Sequence, residues 1–215
     1  MVEFTRRVMS DERGTMSAGR GFLRVVLLGY CNPARFAEAV REVPTPAWGL
    51  MAVLIRAALD SLFIYLPPAL MGWRPWPAPT ITLLHLETYY WTLVWFTPFY
   101  MLFLWVYLAG VTHVVLRLTG RRTDMDFVLN VGGFAQLIVG AVLVAWDWGY
   151  YALGMRSPVA LGITHWILAQ WATVLIVVAY RKFLDLPVWF TLVLYVFSAL
   201  ISYPITMLVM RSPFH

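Results

Sequence analysis

Arg56 and Asp60 stand four residues apart inside GLMAVLIRAALDSLFIYLPPALMGW, residues 49–73, a stretch that is otherwise apolar almost throughout. On a helix such a spacing leaves about 40° of rotation between two side chains, so they share a face. Counting about 1.5 Å of rise per residue from Trp48, Arg56 falls about 12 Å and Asp60 about 18 Å along the helix. That puts Asp60 near the middle of a hydrocarbon core roughly 30 Å thick. An unpaired charge there costs about 2.5–3.5 kcal/mol even on the more lenient insertion scale. Arg56 can stretch back towards an interface, whereas the aspartate side chain is too short to do so. The pair is therefore expected to face other helices. An intramembrane ionisable residue is a functional candidate, here for a small transporter component. With one pair and no chain of further proton carriers, a structural ion pair that fixes helix rotation is the preferred reading.

Histidine is the next residue type able to do chemistry. His85 precedes the second apolar segment, and His165 lies about 10 Å into the fourth from the same side. Two imidazoles on facing helices can ligate a haem b or border a quinone, as in the membrane anchor of a redox complex. Hydrogen-bonded histidines without a ligand are the alternative. His113 sits near the inner end of the second segment, one turn before Arg117, where a polar interfacial role is expected; His215 is terminal. No GxSxG, HExxH, P-loop or pair of catalytic carboxylates occurs, so neither enzymatic activity nor a metal site is expected. The single cysteine, Cys31, excludes an internal disulfide framework and a CxxC motif.

These residues must be carried by helices in a bilayer. The 215-residue chain is 61% hydrophobic and 13% charged, against about 45–50% and 25% for a soluble domain. Five segments reach the roughly 20 residues that a helical crossing needs, at 48–71, 89–116, 127–146, 159–180 and 188–210. The expected fold is an all-α integral membrane bundle of five transmembrane helices. It is preceded by a cytoplasmic N-terminal segment, 1–47, and followed by a short outer tail, 211–215. No cleavable signal peptide is expected, because GFLRVVLLGY is short and carries a central Arg. The net charge of +5 comes mostly from Arg at segment ends, not from a basic-aromatic surface that would track nucleic acid.

Twelve of the basic residues fall on one side of this topology and three (Arg74, Arg156 and Arg211) on the other. Positive residues are retained in the cytoplasm, so the N-terminus is expected inside and the C-terminus outside. Trp73, Trp76, Tyr89, Tyr90, Trp91, Trp146, Trp148, Tyr150 and Tyr151 gather at the outer boundary, where amphipathic rings prefer to sit. Within NPARFAEAVREVPTP, Asn32 can cap a helix that Pro33 opens and Pro44 and Pro46 end. Phe36, Ala37 and Val40 share one face and Arg35, Glu38 and Arg41 the other, which reads as a short amphipathic helix on the cytoplasmic leaflet. Asn130, Gln136, Gln170, Gly132, Gly133 and Gly140 are read as packing positions. Pro67, Pro68 and Pro98 are expected to bend their helices. The rings of the second segment are read as lipid contact and packing, with a quinone or lipid groove as the alternative.

Several stretches together resemble the Yip domain family, multi-span proteins named for interacting with Ypt/Rab GTPases. NPARFAEAVRE, a first span and a proline-rich outer connector follow its order. HVVLRLTGRRTDMDFVLNVGGFA resembles its bacterial members, with His113, Arg117, Leu118, Gly120 and Phe127 in the recurring places. Arg121 departs from the pattern, since a second glycine is common there. The resemblance implies five spans, a cytoplasmic N-terminus and no catalysis; eukaryotic relatives act in membrane trafficking and shaping. Their acidic N-terminal regions that contact GTPases are not evident here. The expected role is a scaffold or accessory subunit in a bacterial inner membrane, binding lipids, other membrane subunits or itself.

Overall fold

The computed structural model describes residues 19, 21–43, 45–75, 85–194, 196, 200 and 213. The described residues form helices joined by short connectors: α1 (Gly21–Cys31), α2 (Pro33–Arg41), α3 (Ala47–Leu59), α4 (Leu66–Leu70), α5 (Tyr89–Leu118), α6 (Met125–Ala152) and α7 (Pro158–Phe183). A π-helical turn, Asp60–Tyr65, welds α3 to α4, so Ala47–Leu70 runs as one continuous rod. Among the described residues four helices, Ala47–Leu70, α5, α6 and α7, are long and apolar enough to cross a membrane. A further helix begins over residues 188–194. The remainder of the expected fifth span, and most of the outer tail, lie outside the described residues.

The central helix is α6. Two thirds of its apolar window, 67%, is buried by neighbours, against 17% for α7 and 28% for α5. Small residues on α6 make this possible. A Cβ on Gly133 would lie 2.3 Å from the carbonyl oxygen of Gly49, so α3 and α6 touch backbone to backbone there. The same offset of 84 residues recurs where Arg56 of α3 meets Gly140 of α6, so the two helices run parallel and in register. At this crossing Asn130 does two jobs. Its Oδ1 accepts from the backbone N–H of Gly49 at 2.8 Å, and its Nδ2 donates to the carbonyl of Thr45 at 2.9 Å. Pro46, the residue ahead of α3, offers no side-chain cap. A fully buried asparagine from another helix thus satisfies one of the donors that every helix start leaves open.

The expected helix at NPARFAEAVRE is present as α2, with Asn32 accepting from the N–H of Arg35 at 3.1 Å. Its apolar face, however, is covered by protein: Phe36, Ala37, Ala39 and Val40 are 0–8% exposed and join the core formed with α5, α6 and α7. Glu38 pairs with Lys182 of α7, and Arg41 with Asp124 at the start of α6. α1 packs alongside, with Tyr30 donating to the carbonyl of Ile138 at 2.9 Å, while Trp171 donates to the carbonyl of Gly29 at 2.9 Å. The amphipathic pattern identified the right face but not what covers it.

Candidate functional site: a buried charge network between α3, α6 and α7

Two apolar cores sit at opposite ends of the bundle. One gathers Phe36, Leu116, Phe134 and Leu175 with their neighbours, the other Ile64, Tyr89, Leu93 and Tyr150. Leu59 packs against both, and the next residue, Asp60, belongs to a layer of charge between them.

Arg56 Nη1 lies 2.7 Å from Asp60 Oδ1, with side chains only 12% and 8% exposed. The shared face expected from the i, i+4 spacing is realised. The same nitrogen donates to the backbone carbonyl of Gly140 at 2.7 Å. A Cβ at residue 140 would stand 1.9 Å from Arg56 Cδ, so only glycine leaves room for the guanidinium to cross α6. Breaking such a pair by removing one partner strands a buried charge, which is far costlier than the pair's own net contribution.

Asp60 opens the π turn, and the cause of that turn is local. Pro67 lacks the N–H that would bond the carbonyl of Phe63, and Pro68 lacks the one for Ile64. The helix widens instead, with Leu66 N–H reaching back to the carbonyl of Ser61. The freed carbonyl of Phe63 accepts from Trp148 Nε1 at 3.0 Å. The bend expected at the two prolines therefore takes the form of a π turn, a distortion that recurs at functional sites.

The network has a second pair that the sequence reading did not assemble. His165 Nε2 of α7 lies 2.8 Å from Asp147 Oδ1 of α6, and Asp147 is 5% exposed. Asp147 and His165 are both within electrostatic reach of Asp60. Beside them Trp146 Nε1 donates to Thr164 Oγ1 at 2.9 Å, and Tyr150 donates to the carbonyl of Ser157 at 2.8 Å. The third segment expected from the sequence ends at residue 146, one short of Asp147, but α6 continues to Ala152. The stop signal was Gly154, whose φ of +71° suits the residue just past a helix end.

The structure gives His165 a carboxylate as its partner, not His85, which is exposed ahead of α5. Among the described residues no group of three or more His, Cys, Asp or Glu side chains is placed to hold a metal ion. His113 is held by Thr123, Nδ1 to Oγ1 at 2.7 Å. Gly120, at φ +72°, closes α5: its N–H reaches the carbonyl of Arg117 at 3.0 Å, and that of Arg121 the carbonyl of Leu116 at 2.9 Å. This double bond pattern is a Schellman stop. Asp124 then caps α6, accepting from the N–H of Phe127 at 3.1 Å. The side chain of Arg117 is exposed. His113, Arg117 and Gly120 thus form a rigid turn from α5 into α6, far along both helices from the charge layer.

Comparison with known protein families, curated proteins and solved structures finds no match to this chain.

Proposed function

We propose that the chain is a non-catalytic, multi-span scaffold of a bacterial cytoplasmic membrane, of Yip-like type. In this reading its N-terminus is cytoplasmic and it holds lipids or partner membrane subunits against its exposed helices. The observation that carries the reading is the self-sufficiency of the charge layer. Arg56 is met by Asp60 and the Gly140 carbonyl, and Asp147 by His165. Charges satisfied inside the bundle serve to fix the rotation and register of three helices, which is what a rigid platform requires. The outward faces fit the same role: Trp95 and Phe99 of α5 are each 71% exposed and Trp166 of α7 65%. Such rings suit lipid chains or apolar partner helices. The test is purification in gentle detergent followed by mass spectrometry. Stoichiometric partner subunits or tightly held lipids support the scaffold; a bare monomer with neither removes it.

A second reading, a proton-coupled transporter component, draws on one observation. The Asp147–His165 contact extends the Arg56–Asp60 pair towards the end of the bundle where α6 stops. Proteoliposomes under an imposed pH gradient separate the two readings. The scaffold predicts no proton flux beyond that of empty liposomes, and a flux abolished by Asp60→Asn would favour transport.

A further inference from the structure

α1 is apolar, but Gly21–Cys31 gives only about 16 Å of helix, half of a hydrocarbon core roughly 30 Å thick. It starts beside Trp48, where a Cβ on Gly21 would stand 2.7 Å from the indole. It ends beside the interior of two spans. A Cβ on Gly29 would stand 2.2 Å from Ile138 Cδ1, Tyr30 donates to the Ile138 carbonyl, and Trp171 donates to that of Gly29. Ile138 lies thirteen residues beyond Met125 of α6 and Trp171 twelve before Phe183 of α7, about 20 and 18 Å from the ends of those helices on the side where α3 begins. By the 84-residue register of α3 against α6, Ile138 stands level with residue 54, six residues or about 9 Å past Trp48. The chain then turns back. Along α2, Glu38 pairs with Lys182 and Arg41 with Asp124, and the Arg41 guanidinium lies over the rings of Phe127 and Phe183. All four of these partners stand at the ends of α6 and α7 from which α1 set out.

We propose that α1 and α2 form a re-entrant hairpin seated in one leaflet, on the side where α3 and α6 begin, with the outer stripe of α1 facing acyl chains. The inference rests on the membrane reading above and goes beyond it by placing part of the N-terminal segment inside the bilayer. Leu23, Leu27 and Cys31 make the stripe: they follow one another at four-residue steps and are all exposed, Leu23 by 57% and Leu27 by 55%. Its level says what covers it. One turn beyond Ile138 and Trp171 stand Val142 and Ile167, both exposed, so the bundle still presents an apolar exterior past the tip of the hairpin. A chain that reverses in hydrocarbon has to bond its own polar groups, and this one does. Asn32, the single residue between the helices, donates its N–H to the Leu28 carbonyl at 2.7 Å. It accepts the Phe36 N–H on its own carbonyl at 2.9 Å and the Arg35 N–H on its side chain at 3.1 Å. The Gly29 carbonyl is taken by Trp171, and Pro33 has no N–H to satisfy. The exposed Arg24, one turn from the start of α1, and Arg35, on the returning helix, have side chains long enough to reach back to the headgroups.

Cys31 is the only cysteine of the chain and is exposed at the turn, so a nitroxide spin label goes there without any substitution. The full chain is reconstituted at one copy per phospholipid nanodisc. Collisions of the label with oxygen, which concentrates in hydrocarbon, are compared with those of a nickel chelate, which stays in water. Oxygen should dominate at Cys31, and equally at Leu27→Cys in a Cys31→Ser background. The ratio should reverse at Glu42→Cys in the same background, because Glu42 is exposed at the returning end of α2. Phe99→Cys, on the exposed face of α5, checks the membrane reading separately. Nickel-dominated collisions there overturn that reading and the hairpin with it. Oxygen-dominated collisions at Phe99→Cys with nickel-dominated collisions at Cys31 and Leu27→Cys overturn the hairpin alone. A label at Cys31 shielded from both reagents would put protein instead of lipid on the stripe and would equally overturn the proposal.

Discussion

His165 Nε2 and Asp147 Oδ1 meet at 2.8 Å across α6 and α7, beside the Arg56–Asp60 pair on α3. Three helices that are separately only apolar rods thereby acquire a fixed rotation about one another. Replacing His165 with Phe leaves the Asp147 carboxylate, 5% exposed, without its imidazole partner. Stability should fall by about 1–3 kcal/mol, the cost of an unsatisfied buried acceptor. Denaturant unfolding in bicelles checks this, and Asp147→Asn with His165 retained should lose less, since the amide can still hydrogen-bond.

The backbone crossing of α3 and α6 should tolerate no side chain. At Gly133 the obstacles to a Cβ are backbone atoms of Gly49 at 2.3–2.8 Å, which cannot swing aside. Gly133→Ala is expected to cost at least about 1–3 kcal/mol through overpacking. Gly132→Ala, one residue away and facing open space beside Trp105, should lie within about 0.5 kcal/mol of the parent. Equal melting temperatures for the two variants would contradict the crossing.

Trp148 completes the π turn by donating to the carbonyl that Pro67 leaves free. Trp148→Phe keeps much of the ring and removes the donor, and should cost about 1 kcal/mol, the net value of an ordinary hydrogen bond. Hydrogen exchange should quicken over residues 60–66 more than over α3. Unchanged exchange there would show that the turn does not depend on the indole.

A pH dependence is expected where α2 docks on α7. The hydrogen bond and charge of Lys182 hold the Glu38 carboxyl below its usual range. A carboxyl lowered in the folded state contributes stability that is fully present above its unfolded pKa, near 4.3, and is lost as pH falls through the lowered folded value. Protection of α2 amides should therefore persist at neutral pH and fade only in acid below the ordinary glutamate range. In Glu38→Gln that acid-dependent step should vanish. A wild-type step near neutral pH would assign the docking to other groups.

How much of this was legible before the structure depended on what each residue needed to declare itself. Arg56 and Asp60 did so through type and spacing alone, because two charges one helical turn apart in an apolar run have few other arrangements. His165 was visible as an intramembrane imidazole, but its partner was not. Asp147 sits among Trp, Gly and Tyr in a stretch that reads equally well as a connector, and only the glycine at 154 marks the true end of α6. The acceptance of Arg56 by the Gly140 carbonyl was beyond sequence reading, since it depends on the register of α3 against α6. That register is set by the contact of Gly49 with Gly133 and Asn130. For α2 the pattern gave the buried face correctly, yet amphipathicity alone does not distinguish a lipid surface from the flank of a neighbouring helix. The fifth expected span lies mostly outside the described residues.

If the intramembrane charges act as one structural lock, a double-mutant cycle on Arg56 and Asp60 will reveal strong coupling between them. Unfolding free energies would be compared for the parent, Arg56→Met, Asp60→Leu and the double variant. Each single change strands a buried charge and is expected to cost about 3–5 kcal/mol, while the double variant recovers most of that loss. Single variants as stable as the parent, or costs that simply add in the double variant, would show that the two charges do not act as a lock.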